Sequence, residues 1–253
     1  MSDTIHRVNH EIKQRRLQVV RVTEVTPRMR RITLGGPELE GFVSLGSDDH
    51  VKLLFGETAE QQAAIDARQL GRDSGVRPTM REYTPRRYDL AAGELDIDFV
   101  LHGDGPASTW AAQAAPGQTL NIAGPRASMV VPDIFDSYLL IGDETAIPAI
   151  ARRLDELPAG RQVLAIIQIA DEHERQPLPS KAQVEVIWVR REDEDLLALV
   201  KNLSLPAGKL YSWVALEKAL TRQAKALLLE KGVQDDALKA AAYWREDGSA
   251  DDA

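Results

Sequence analysis

The second half of the chain carries the pattern that most constrains its fold. Tyr138-Leu139-Leu140-Ile141, Gln162 to Ile169 (QVLAIIQI) and Val184 to Val189 (VEVIWV) are strand-length runs with little polar alternation. A strand without alternation has no face to give to water, so both faces must be covered. The covers are at hand: helix-length segments follow at Ala146 to Leu157, 194–202 (EDLLALVKN) and 217–231. Further strands are expected at 210–215 (LYSWVA) and near 238–244. Buried strands alternating with helices predict a parallel sheet with helices on both faces.

The first half has a different rhythm. Leu17 to Val22, Arg28 to Leu34 (RMRRITL), His50 to Phe55, Arg81 to Arg86, Glu94 to His102 (ELDIDFVLH) and Gln118 to Ala123 (QTLNIA) are short, partly alternating strands separated by Pro and Gly turns. Six such strands with few helices predict a small closed antiparallel barrel. Residues 56–78 are polar and read as an insertion or mobile loop. The division falls near Pro132-Asp133, giving domains 1–132 and 133–253. The acidic tail from Glu246 to Ala253 reads as disordered.

Composition removes several kinds of chemistry. The chain of 253 residues has no cysteine, which excludes disulfides, thiol nucleophiles, zinc–thiolate sites and cysteine-ligated clusters. Any electron transfer must therefore run through a dissociable organic cofactor. A net charge of −8 argues against generic nucleic-acid binding. Met1 to Arg16 is polar and no apolar run reaches the ~20 residues that span a bilayer. A cytoplasmic protein without stable membrane association is expected.

Three segments carry candidate chemistry. Arg81-Glu82-Tyr83-Thr84-Pro85-Arg86 places a cation, a ring and a hydroxyl within four positions. On a strand, Arg81 and Tyr83 share one face and Thr84 takes the other. This set suits a flavin nucleotide: phosphate on Arg81, ring on Tyr83, ring edge at Thr84. It also suits a plain edge strand ended by proline. His102-Gly103-Asp104-Gly105-Pro106-Ala107-Ser108 is a strand end, a glycine turn and a helix start. Free N–H groups there can hold a pyrophosphate, with Gly105 permitting close approach; alternatively the turn is a connector capped by Asp104. Gly142-Asp143-Glu144-Thr145 follows the first parallel strand, where such sheets bind ligands. The two carboxylates there repel phosphate, so a nicotinamide or ribose fits better, unless they only complement the helix start.

Together with Ala123-Gly124-Pro125-Arg126 and Ala242-Tyr243-Trp244-Arg245, these segments resemble the siderophore-interacting protein family over roughly residues 15 to 246. The resemblance implies a flavin barrel joined to a nicotinamide domain, as in ferredoxin reductases, and an FAD-dependent, NADPH- or NADH-linked ferric-siderophore reductase. By the family pattern Arg81, Tyr83, Thr84, His102, Gly105, Ala107 and Ser108 hold FAD. Gly142, Asp143, Glu144 and Thr145 face the nicotinamide, and Arg175 meets a 2′-phosphate. Lys52, Arg126 and Arg245 hold the anionic ferric siderophore or chelate beside the flavin. No side chain is required as acid, base or nucleophile. One departure stands out: Leu216 occupies a position where relatives commonly carry glycine, and is expected to narrow the nucleotide pocket. A general flavin reductase or ferredoxin-type oxidoreductase is the rival enzyme reading, and a non-catalytic siderophore-binding protein is the other. The siderophore and the oligomeric state are not specified by these residues.

Overall fold

The computed structural model of the protein describes residues 3–103 and 105–246. Asp104, offered above as a helix cap, and the tail beyond Glu246 lie outside the described residues. The chain divides into two compact units, one from His6 to Val130 and one that joins the segment ending at Ile5 to the chain from Val131 onward. Among the described residues no helix is long and apolar enough to cross a membrane.

The first unit contains β1 (His6–Asn9), β2 (Gln14–Thr26), β3 (Met29–Gly35), β4 (Val51–Phe55), α1 (Ala59–Gln69), β5 (Thr79–Tyr83), β6 (Pro85–Asp89), β7 (Glu94–Val100), α2 (Pro106–Gln113), β8 (Thr119–Ala123) and β9 (Ala127–Val130). Seven strands form one antiparallel sheet in the order β5-β4-β8-β2-β3-β7-β6, and β1 pairs with β9 as a separate ribbon. The expected barrel of six strands is thus corrected to seven. The hexapeptide at 81–86 breaks at Thr84 into β5 and β6, which form opposite edges of the sheet. The thirteen-residue β2 curls the sheet: Gln14 to Gln18 pair with β8, whereas Gln18 to Thr26 pair with β3 across two register shifts. Inside lie Leu17, Val19, Ile32, Leu34, Leu53, Ile97 and Ile122, each essentially without exposure. Each such side chain contributes about 1.5–3 kcal/mol by leaving water.

The polar stretch 56–78 is not a loop: it contains α1. The Thr58 side chain accepts from the Gln61 N–H, and Gln61 reaches back to the Glu57 N–H at 2.9 Å. This reciprocal pair resembles a capping box, and Thr58-x-x-Gln61 is its legible signal. Only Ala64 and Ile65 of the helix are buried, so the apolar stripe is too thin for periodicity to reveal.

The second unit contains β10 (Ser137–Asp143), α3 (Ile147–Glu156), β11 (Gln162–Ile169), β12 (Gln183–Arg190), α4 (Leu196–Asn202), β13 (Leu210–Glu217), α5 (Lys218–Glu230) and β14 (Leu238–Trp244). All five strands are parallel, in the order β12-β11-β10-β13-β14. The chain builds outward from β10 to β12, then returns to place β13 on the other side of β10. That reversal opens a crevice at the carboxyl ends of β10 and β13, the usual ligand position in such sheets. Leu216 does not reach it. Its side chain is fully buried in the core with Val214, Ala224 and Leu228.

Candidate functional site

In the first unit Tyr83, one of the predicted flavin residues, belongs to a line of aromatic contacts. The Tyr83 ring lies 4.6 Å from the Phe99 ring, Phe99 lies 5.6 Å from Trp110 of α2, and Trp110 lies 6.3 Å from Phe55. The edge strand β5, through Tyr83, and the middle of α2, through Trp110, thereby both pack on Phe99 of β7. Burial pushes the Tyr83 hydroxyl up to about 12, against the opposing charge of Arg81. It is a neutral ring at physiological pH, partly buried against the core of the first unit.

Arg81 donates to the Met80 carbonyl at 2.8 Å and has no carboxylate partner among the described residues. Thr84 is buried, with no hydrogen bond to its hydroxyl among those residues. A cation without an anion and a hydroxyl without a partner fit an FAD whose phosphates meet Arg81 and whose ring edge meets Thr84. The start of α2 fits as well: Gly105 precedes it without a side-chain cap. A Cβ on Gly105 would meet only His102 Cε1, at 3.6 Å, so the approach is open.

Ala107 and Ser108 fall at this helix start, but their side chains are buried. The Ser108 hydroxyl accepts from the His102 N–H at 2.9 Å, which closes the turn. What these two positions offer a ligand is backbone, whereas the side chains belong to the fold. His102 itself is exposed.

At the carboxyl edge of the parallel sheet, Gly142 pairs across to Ala215 on β13. A Cβ on Gly142 would lie 2.4 Å from Ala146 Cβ, so glycine is what lets α3 pack onto the sheet. The next residue, Asp143, is 2% exposed. Its carboxylate accepts from the Thr145 N–H at 2.9 Å, the Thr145 hydroxyl at 2.5 Å and Trp244 Nε1 at 2.7 Å. Glu144 accepts from Arg191 Nη2 at 2.5 Å. Glu217 accepts from the N–H groups of Ala219 and Leu220 at the start of α5. Acidic side chains therefore already occupy N–H groups on both sides of the crevice, which disfavours phosphate there and leaves room for an uncharged ring or ribose.

Burial raises the Asp143 carboxyl above its ordinary range. The hydrogen bonds from Thr145 and Trp244 oppose that rise, and the neighbouring Glu144 charge adds to it. An acid with a raised folded-state pKa stabilises the fold fully below its unfolded value, and that contribution is lost as pH rises through the folded value. The stability of wild type relative to Asp143→Asn should accordingly fall as pH rises above ~4. Thermal melts of both proteins across pH check this; a difference that is flat or rises with pH contradicts it.

The remaining predicted residues are placed as follows. Arg175, just after β11, forms a two-point pair with Glu172 at 2.6 and 3.0 Å. Arg190 approaches the same carboxylate at 3.7 Å. Lys52 on β4 faces Glu82 across the strand pair, at 3.6 Å. Arg126 is exposed, follows a cis Gly124–Pro125 bond, and its carbonyl accepts from the His10 N–H at 2.9 Å. Lys52 and Arg126 belong to the first unit and Arg245, directly after β14, to the second. The sequence reading missed Arg191, and it named Trp244 without a partner. A signal existed for Arg191: the pair Arg190-Arg191 directly follows the apolar run of β12, at the ligand-binding end of the sheet.

Comparison with known proteins finds matches across both units. The profile of the siderophore-interacting FAD-binding domain matches residues 18–129, and that of the siderophore-interacting protein matches 135–247. The chain is 34% identical to the NADPH-dependent ferric-chelate reductase of Escherichia coli, covering 94% of this chain and 95% of that one. It is 29% identical to the ferric vibriobactin reductase of Vibrio cholerae, covering 97% and 93%. The crystal structure of a siderophore utilization protein from T. fusca superposes with a TM-score of 0.87 at 36% identity, over 97% of both chains.

Proposed function

Since the chain belongs to the siderophore-interacting protein family, we propose that it is an NADPH-dependent, FAD-containing reductase of ferric siderophores. The observation that carries this reading is Arg81, a cation without a carboxylate partner, on the same edge strand as the Tyr83 ring and just before the unpartnered Thr84 hydroxyl. Bound FAD would take a two-electron hydride from NADPH and deliver single electrons to two Fe(III) ions, a division that nicotinamide alone does not perform. FAD belongs to domain 1–132 and the nucleotide to domain 133–253 in this proposal.

The protein's own part is placement. Arg81 anchors phosphate, Tyr83 and Thr84 orient the ring, and the backbone at Gly105 to Ser108 completes the hold. The Gly142 to Thr145 turn receives the nicotinamide half. Arg175 takes the 2′-phosphate by exchanging its Glu172 partner for a more highly charged one. Lys52, Arg126 and Arg245 attract the anionic ferric chelate despite the net charge of −8. Ferrous product is released because hard oxygen ligands hold it less tightly. A cytoplasmic location, where NADPH is supplied, belongs to the same proposal.

The test is anaerobic stopped-flow measurement of the two half-reactions over a salt series. Neutralising Lys52, Arg126 or Arg245 should slow reduction of anionic ferric catecholates more than of neutral or cationic chelates. The wild-type rate should fall with ionic strength, because exposed charge is screened over about 8–10 Å near physiological salt. Flavin reduction by NADPH should be unchanged in these variants, but Arg175→Ala should weaken it while leaving NADH nearly unaffected. Equal losses for anionic and cationic chelates would show that these three charges do not select the chelate. Loss of reduction with every ferric chelate by wild-type protein that NADPH still bleaches would leave the general flavin reductase.

A further inference from the structure

Arg15 is 5% exposed, and no carboxylate lies within ion-pairing distance among the described residues. Its guanidinium makes only long contacts to carbonyls: Gly124 at 3.2 Å, and Lys13 and Gly41 at 3.4 Å each. Its Nε is buried without an acceptor, and the face of the group lies 5.4 Å from the Phe42 ring centre. A buried charge without a counter-ion is costly, and a group held only by neutral carbonyls is incompletely compensated. Burial lowers the Arg15 pKa accordingly, with Glu38 and Glu11 opposing at longer range.

Arg15 lines an open cleft of about 380 Å³. Two further cations line it. Arg68, in the last turn of α1, is half-buried, and its guanidinium has no ion pair or hydrogen bond among the described residues. Lys13 has only a loose pair with the exposed Glu11, at 3.5 Å. The one carboxylate in the lining is Glu38, and it is already engaged by the Arg16 N–H at 2.7 Å and Gln69 Nε2 at 2.6 Å. The opposite end of the same amide, Gln69 Oε1, is buried without a donor. The lining's own residues thus carry an excess of two positive charges, one of which, Lys13, is loosely paired with Glu11 outside the lining. None of its residues belongs to the flavin, nucleotide or chelate positions assigned above.

We propose that this cleft binds the phosphoryl group of a small molecule, held by Arg15, Arg68 and Lys13. A phosphoryl dianion matches the excess charge, and guanidinium forks are suited to its paired oxygens. Free phosphate and a phosphomonoester share this chemistry, and the difference between them is whether the rest of the cleft adds affinity.

The test is isothermal titration of the FAD-loaded protein with inorganic phosphate and, separately, with glycerol 3-phosphate, at constant ionic strength. Saturable one-to-one binding is expected, weakened about tenfold or more in Arg68→Gln and in Lys13→Gln. Both variants sit on the rim and should keep wild-type flavin content and NADPH-driven flavin reduction. Tighter binding of glycerol 3-phosphate identifies a phosphomonoester as the natural occupant, and equal binding identifies free phosphate. Absence of saturable binding to wild type overturns the proposal. Binding that is unchanged in both variants also overturns it, because the phosphate then occupies another site.

Discussion

Arg81→Ala should purify with little FAD and rebind it roughly ten- to a hundredfold more weakly, because charge-assisted hydrogen bonds contribute on the order of 1.5–3 kcal/mol. The size of the effect follows from what Arg81 lacks. Among the described residues it has no carboxylate partner and only the Met80 carbonyl at 2.8 Å, so its charge is available to a ligand. Tyr83→Ala acts differently. The ring is packed 4.6 Å from Phe99, so truncation removes core contacts as well as a stacking surface. A fully buried aromatic cut to alanine costs about 3–5 kcal/mol of stability, the partly buried Tyr83 loses up to that much, and Tyr83→Ala is therefore a poor test alone. Tyr83→Phe keeps the ring and should keep the flavin. The Arg81→Ala/Tyr83→Ala double variant should be colourless. Flavin absorbance of the purified proteins and FAD titration of the stripped forms decide the matter; full flavin in the double variant means that the site lies elsewhere.

Gly142→Ala should destabilise the second unit by about 1–3 kcal/mol, the usual range for an overpacked site. For a unit of this size that lowers its melting temperature by roughly 10 °C. The added Cβ would sit 2.4 Å from Ala146 Cβ, 3.1 Å from Ile150 Cδ1 and 3.3 Å from the Ala215 carbonyl oxygen. Ile150 can rotate, but Ala146 Cβ and the Ala215 carbonyl are fixed to backbone, so the start of α3 must move. That shift would carry the Asp143–Thr145 turn with it and weaken NADPH use in parallel. Ala146→Gly removes the nearest obstacle, and the Gly142→Ala/Ala146→Gly pair should recover much of the lost stability. Calorimetry of the four proteins in a double-mutant cycle measures this coupling. Additive single effects would show that the contact is not what sets the cost.

Secondary structure in the second unit was legible because β10, β11 and β13 are buried on both faces and read as apolar runs. The site turn at Gly142 to Thr145 was legible for the same reason: it begins where such a run stops. In the first unit the strands were found but not counted correctly. Thr84 is a break between β5 and β6 that local sequence presents as continuity up to Pro85, and β1 and β9 are four residues each, too short to show a period. Leu216 was expected to narrow the nucleotide pocket, yet its side chain is buried in the core with Ala224 and Leu228 of α5. The face a strand residue takes depends on which helix covers it, and that is not written in the strand.

By itself, then, the sequence determined the two fold types, the places where strands give way to ligand-binding turns, and the exclusion of thiol chemistry. Those follow from period, length and composition, which act over a few residues. The tertiary structure alone decided which charges are satisfied: Arg175 by Glu172, Arg191 by Glu144, Asp143 by Thr145 and Trp244, and Arg81, Arg15 and Arg68 by no carboxylate among the described residues. Asp143 and Trp244 are far apart in the chain, as are Arg15 and Arg68, and no local pattern couples them. Coulomb and hydrogen-bond energies depend on distance in space and on burial, so whether a charge is free for a ligand is settled only once the chain is folded.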